Sequence, residues 1–166
     1  MSPDPRPLAD GGEDGILLPV AAFRGILEDI LRRGESVRFR AGGISMHPFI
    51  RDGDVLTVSP LAHGRSRLGD VVAVRQPGAD RLLVHRVVAA RPGRVVTRGD
   101  AAHSDDGPVP GGCVLGVVTR VERGAHEVTA GRGPERRVLA LLSRHGLLTP
   151  LVAGTRKLAA GWRRLR

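Results

Sequence analysis

Residues 71–90 read VVAVRQPGADRLLVHRVVAA and predict a β-hairpin. Two runs rich in Val and Leu, Val71–Arg75 and 82–90, flank the segment Gln76-Pro77-Gly78-Ala79-Asp80. Pro, Gly and Asp favour tight turns, and β-branched residues favour strands. Further strands are predicted at 37–41, Val55–Ser59, 95–97, 114–121 and about 127–129. The middle of the chain is therefore expected to be a compact, mostly antiparallel β domain.

Helices are predicted on both sides of this β domain. Between Pro19 and Arg33, apolar residues recur at helical spacing, and Gly34 suits a helix cap. After residue 134 a short apolar stripe is formed by Val138, Leu141 and Leu142, and Thr149-Pro150 suits the start of one more helix. We expect a disordered N-terminus (1–15), a β domain with its leading helix (16–131) and a basic tail with one or two helices (132–166).

The net charge of +9 is unevenly distributed. Residues 132–166 carry nine Arg or Lys side chains and one acid, whereas residues 1–131 carry 17 basic and 16 acidic side chains. Such a basic segment points to an anionic membrane, an acidic partner or nucleic acid. No aromatic platform and no nucleic-acid motif accompanies the charge, so no specific nucleic acid is expected as a partner.

Two interpretations of the basic tail stay open. Four apolar residues share one predicted helical face, namely Leu151, Leu158, Trp162 and Leu165. This face suits peripheral docking of residues 132–166 on an anionic membrane. It suits equally a helix packed on the β domain with its basic side in solvent.

Several classes of site and location are disfavoured. Cys113 is the sole cysteine, so neither an internal disulfide nor a cysteine-based zinc site is expected. The histidines lack the spacing of a metal site, and no cofactor is predicted. The chain shows neither a secretory signal nor a run of about 18 apolar residues. We expect a protein that is cytoplasmic or peripheral at the cytoplasmic membrane.

A serine and a histidine stand in segments that suit catalysis. Ser45 lies in Gly43-Ile44-Ser45-Met46-His47-Pro48, where glycine permits close approach of a substrate and Pro48 stiffens the turn. His85 lies in the second strand of the predicted hairpin. The only lysine, Lys157, is far away in the tail, so histidine is the available base. Taken singly, each is better explained as an ordinary turn serine or a structural histidine, and only the longer pattern favours catalysis.

Three aspartates follow His85 in the same predicted β domain. A histidine base usually needs a carboxylate to fix its tautomer, and Asp100, Asp105 and Asp106 are the candidates. Aspartates in such loops also form local turns, and we expect that role for at least one of them.

The motifs together resemble the signal peptidase I superfamily of serine peptidases, over about residues 37–121. They are most similar to the subgroup of the endoplasmic reticulum, archaea and sporulating bacteria, in which histidine replaces lysine. The matching blocks are Gly-x-Ser-Met-x-Pro at 43–48, Gly-Asp at 53–54, Gly-Asp-Val-Val at 69–72, Val-His-Arg-Val at 84–87, Gly-Asp at 99–100, Asp-Asp at 105–106 and Gly-Val-Val at 116–118.

The resemblance implies a serine endopeptidase with Ser45 as nucleophile, His85 as general base and Asp106 as third member. Asp100 or Asp105 becomes the alternative orienting acid or a structural support. The oxyanion would be bound by the Ser45 amide and a neighbour, in a cleft that includes Gly43, Met46 and Pro48. The implied substrate is a polypeptide with small residues before the cleaved bond.

A different class of function is also considered, a non-catalytic or self-processing regulatory module with the same fold. Self-cleaving repressor-type relatives carry a DNA-binding domain and use lysine as base. The single helix predicted before residue 37 is too little for a helix-turn-helix.

An enzyme with a histidine base should gain activity as pH rises through the range near neutrality in which imidazole loses its proton.

Overall fold

The computed structural model describes residues 19–79 and 81–145. Helix α1 spans Val20–Arg32 and helix α2 spans Arg136–Arg144. The strands are β1 Val37–Arg40, β2 Val55–Ser59, β3 Val71–Arg75, β4 Leu82–Arg91, β5 Arg94–Arg98, β6 Pro108–Pro110, β7 Val114–Arg123 and β8 His126–Glu127. Short 3₁₀ turns lie at Ala62–Gly64 and Gly111–Cys113.

The eight strands form one antiparallel sheet in the order β1-β2-β7-β3-β4-β5-β6, with β8 beside β7. The predicted hairpin is present as β3 and β4, in which Val72 lies opposite His85. The expected mainly antiparallel β fold, with one N-terminal and one C-terminal helix, is thus confirmed.

Both faces of the central strand β3 are buried, which explains its unbroken apolar sequence. Val71 and Ala73 belong to a core that contains α1 residues Phe23, Leu27 and Leu31. Because side chains alternate along a strand, Val72 and Val74 belong to a second core with Val87, Val95 and Val109. The sheet therefore has one apolar cluster under α1 and another on the far side.

The structure adds a strand that the sequence pattern does not predict. Strand β6 is bounded by Pro108 and Pro110, which lack a backbone N–H and so resemble loop residues in a sequence. Val109 between them is buried and lies opposite Val95. The strand predicted at about 127–129 is instead the two-residue β8.

Helix α2 packs against β4 through small residues. Ala140 and Ser143 are its buried residues, whereas Val138 and Leu141 are exposed. The predicted segment 1–15 and the helix predicted from Thr149 lie outside the described residues. Neither of the two described α-helices has the length and apolar character needed to cross a bilayer.

Candidate active site

The fold brings Ser45, His85 and Asp106 into one hydrogen-bonded chain. Ser45 lies in the turn-rich segment between β1 and β2, His85 in β4, and Asp106 in the loop between β5 and β6. Ser45 Oγ is 3.1 Å from His85 Nε2, and His85 Nδ1 is 2.6 Å from Asp106 Oδ2. Residues that are 40 and 21 positions apart in sequence thus form the arrangement of a nucleophile, a base and an orienting acid.

The carboxylate fixes which imidazole nitrogen carries the proton. An ionised carboxylate only accepts hydrogen bonds, so His85 Nδ1 must be the donor to Asp106. Nε2 then has a lone pair directed at Ser45 Oγ and accepts a hydrogen bond from the hydroxyl. The imidazole is 8% exposed at its side chain, which limits its rotation away from this geometry.

A buried threonine holds the acid in place. Thr97 Oγ1 donates to Asp106 Oδ2 at 2.7 Å, and the Asp106 amide donates to the Thr97 carbonyl at 2.9 Å. Thr97 is fully buried in β5, opposite Val87. Sequence reasoning missed Thr97, because its contact with Asp106 depends on how the loop after β5 returns to the strand.

The same loop also contacts the serine. The Ala101 amide donates to the Ser45 carbonyl at 2.8 Å. A Cβ atom at Gly99 would lie 2.7 Å from Ser45 O and 3.2 Å from His85 Nε2. Only glycine fits at this position, so residue 99 lets the serine and the histidine meet. The motif Gly99-Asp100 contained this signal, but a turn glycine gives the same sequence pattern.

The two other candidate acids have different surroundings. Asp100 forms a bidentate pair with Arg86, with two N–O distances of 2.7 Å, and both side chains are fully buried. Arg86 also donates to the carbonyls of Gly69 and Gly131. Asp105 accepts a hydrogen bond from the Gly107 amide, as in an Asx turn. The structure therefore places Asp100 as a support of the loop and Asp105 as a turn residue.

An apolar pocket of about 130 Å³ opens beside the serine. Its walls include Gly43, Met46 and Ser45, together with residues of α1, β1 and the start of β4. Pro48 is half-buried and lies outside this lining. The pocket can hold one small or medium apolar side chain next to the hydroxyl.

The backbone amides of Gly43 and Ser45 differ in whether they already donate a hydrogen bond within the protein. The Gly43 amide already donates to Asp52 Oδ1 at 2.7 Å, so it is occupied. The Ser45 amide donates to no acceptor among residues 19–79 and 81–145. The Ser45 amide therefore remains available to an acceptor outside the described residues.

A second arginine–aspartate pair supports the segment that carries Ser45. Asp54, 2% exposed, accepts two hydrogen bonds from Arg123 and one from the Arg51 amide. Burial alone would raise the pKa of Asp54, but the hydrogen bonds and charge of Arg123 and the Arg51 amide outweigh it and lower the pKa below 3.8. The same carboxylate raises the pKa of Arg123.

A larger hollow of about 640 Å³ lies at the far end of the β4–β5 hairpin. Its lining includes Arg65, Arg91 and Arg94 but no histidine or carboxylate, so it lacks a base for catalysis. In the part of the chain that the structure describes, no cluster of three His, Cys, Asp or Glu side chains could hold a metal ion.

Comparison with protein-family models, with curated proteins and with solved structures gives no match to this chain.

Proposed function

We propose that this protein is a serine endopeptidase that resembles signal peptidase I and uses Ser45, His85 and Asp106. The observation that carries the proposal is the continuous path from the serine hydroxyl through both imidazole nitrogens to a carboxylate. A serine hydroxyl is a weak nucleophile unless a base removes its proton, and this path supplies the base and orients it.

The mechanism has two halves. Ser45 Oγ attacks the carbonyl carbon of the substrate while His85 Nε2 takes its proton, and the Ser45 amide donates to the developing oxyanion. The imidazolium, stabilised by Asp106, passes the proton to the leaving nitrogen as the C–N bond breaks. A water molecule then hydrolyses the serine ester, with His85 again as base, and releases the acid product and the free hydroxyl.

The polypeptide class of substrate is supported by the edge of β4. Residues 82–85 of β4 pair with β3 along one edge, but β4 pairs with β5 only from Arg86 onward, so the β5-side edge of residues 82–85 has no partner strand among the described residues. An extended peptide could hydrogen-bond along this edge, since main-chain pairing gives affinity and pockets give specificity. The adjoining pocket, about 130 Å³, fits the small residue that the resemblance implies before the cleaved bond.

We further propose a cytoplasmic or membrane-peripheral location, with the excess positive charge of residues 132–166 as support for the peripheral alternative. No specific nucleic acid partner and no cofactor enter the mechanism.

A fluorophosphonate probe tests this proposal on the full chain. The probe should label the protein at Ser45 and nowhere else, as located by mass spectrometry of the labelled peptides. Ser45→Ala should abolish labelling, and His85→Ala should slow it by about 10³–10⁴-fold because the base is lost. Cleavage of a peptide library should be lost in parallel.

Two matched controls make the result specific. Ser104→Ala removes an exposed serine of the loop that contains Asp106, and His126→Ala removes an exposed histidine of β8. Both variants should label at the normal rate. Labelling of His85→Ala at the normal rate would refute the mechanism, and a chain that neither labels nor cleaves would favour the non-catalytic module.

A further inference from the structure

Helix α2 leaves two of its four larger apolar side chains, Val138 and Leu141, exposed, whereas Leu139 and Leu142 are half-buried. Ala140 is fully buried and Ser143 is 2% exposed, whereas Val138 is 57% and Leu141 is 46% exposed. Leu142, one turn after Val138, is half-buried. An amphipathic surface helix normally buries its apolar face, but here the small residues occupy that place. Neither apolar cluster of the described residues contains Val138 or Leu141.

Two arginines lie beside these apolar residues. Arg137 and Arg144 stand four positions before and three positions after Leu141, so both are its neighbours on the helix surface. Both are exposed, and neither forms an ion pair with a described residue. Arg136 differs, because it faces inward and pairs with Asp70 at 3.5 Å. We call the surface formed by Arg137, Val138, Leu141, Leu142 and Arg144 the outer strip.

The chain beyond α2 continues the same charge. The 21 residues after His145 contain five Arg or Lys side chains and no acid. An anionic surface is therefore complementary both to the outer strip and to the sequence that follows it.

We propose that the outer strip docks on an anionic lipid surface. Val138 and Leu141 would enter the boundary between headgroups and acyl chains, while Arg137 and Arg144 contact lipid phosphates. A specific protein partner would need about 800 Å² of complementary surface, and three apolar side chains supply far less. A lipid surface needs no shape match, because apolar burial and charge attraction simply add. This docking does not depend on catalysis by Ser45.

Co-sedimentation with vesicles tests the docking. The full chain should pellet with vesicles that contain phosphatidylglycerol and remain in solution with phosphatidylcholine alone, and salt should weaken the binding. Leu141→Asp should lower binding by about tenfold or more, through lost burial and an unfavourable charge. Arg137→Gln and Arg144→Gln should each lower it by about fivefold.

The matched control is Ile26→Asp on α1. Ile26 is 45% exposed, close to the 46% of Leu141, and the substitution changes the net charge equally. This variant should bind vesicles as the unaltered protein does.

Three results would overturn the proposal. The first is that the chain does not pellet with anionic vesicles, and the second is that Ile26→Asp and Leu141→Asp lose binding equally. The third is that Leu141→Asp binds vesicles normally but unfolds at a lower temperature than Ile26→Asp, which would mean that residues 146–166 cover the outer strip.

Discussion

Two adjacent residues of β4, His85 and Arg86, each pair with an aspartate of the same loop, yet their surroundings differ. His85 contacts Asp106 on one side and the exposed Ser45 on the other. Arg86 is fully buried, paired with Asp100, and also hydrogen-bonded to two backbone carbonyls. Because adjacent residues of a strand point to opposite faces, one pair reaches the pocket and the other the interior.

The difference separates the proposed chemistry from structural support. In the proposed mechanism the base must face the group whose proton it takes, and His85 Nε2 lies 3.1 Å from the Ser45 hydroxyl oxygen. The guanidinium of Arg86 donates its hydrogen bonds to protein acceptors, and its Cζ lies 5.6 Å from the centroid of the Phe49 ring. Arg86 therefore has a structural role. Asp100 therefore fixes the loop in which Gly99, Ala101 and Asp106 reach Ser45 and His85.

The largest expected effect is on activity, from Asp106→Asn. The amide can turn its NH₂ toward Nδ1, which favours the imidazole tautomer that cannot accept the serine proton. We expect kcat/KM to fall by about 10³–10⁴-fold, equivalent to about 4–5.5 kcal/mol of transition-state stabilisation. Asp105→Asn, at the exposed neighbour, is the control and should keep normal kinetics. Equal losses in both variants would mean that the loop, and not the carboxylate of Asp106, matters.

The second effect is on stability, from Asp100→Asn. This substitution leaves Arg86 buried without a counter-charge, and breaking a buried pair costs about 3–5 kcal/mol. Urea unfolding of Asp100→Asn and Asp106→Asn side by side should show the larger loss in Asp100→Asn, whereas kinetics of the folded fraction should show the reverse. If Asp100→Asn is as stable as the unaltered protein, the supporting role is wrong.

A double variant refines the second comparison. Asp100→Leu combined with Arg86→Met replaces the ion pair by apolar side chains, which in other proteins is often neutral. Here only part of the stability should return, because the carbonyls of Gly69 and Gly131 lose their donor. Full recovery would show that these two hydrogen bonds contribute little.

The sequence predicts those parts of the molecule that depend on local pattern. The strands of the β3–β4 hairpin follow from their Val-rich runs and the turn between them. The proximity of Ser45, His85 and Asp106 is implied only by the resemblance to signal peptidase I. Thr97 and Ala101 depend on where a loop returns after β5, and no local pattern encodes that. Val87 lies opposite Thr97, and the register between β4 and β5 shifts between Val87 and Ala89, directly after this pair.

Helix α2 is predicted by its periodic apolar residues, but periodicity does not state which face of the helix meets the sheet. Close packing at Gly69, where a Cβ would lie 2.7 Å from the Arg136 carbonyl oxygen, brings the start of the helix so near that small side chains occupy the contact.

The smallest expected effect concerns the partly exposed pair of Asp54 and Arg123, which supports the Ser45 segment as Asp100 supports the Asp106 loop. Asp54→Asn should lower the free energy of unfolding by about 2 kcal/mol, less than Asp100→Asn, because Arg123 is 34% exposed and water can replace part of its partner. The pKa of Asp54 is lowered in the folded protein, so its carboxylate stabilises the fold above the ordinary value of 3.8 and loses this contribution as pH falls through the folded value. The difference in free energy of unfolding between the unaltered protein and Asp54→Asn should therefore be largest at neutral pH and shrink progressively below about pH 4. Urea unfolding at a series of pH values measures it. A difference that stays constant into acid would place the stabilisation in packing and not in the charge of Asp54.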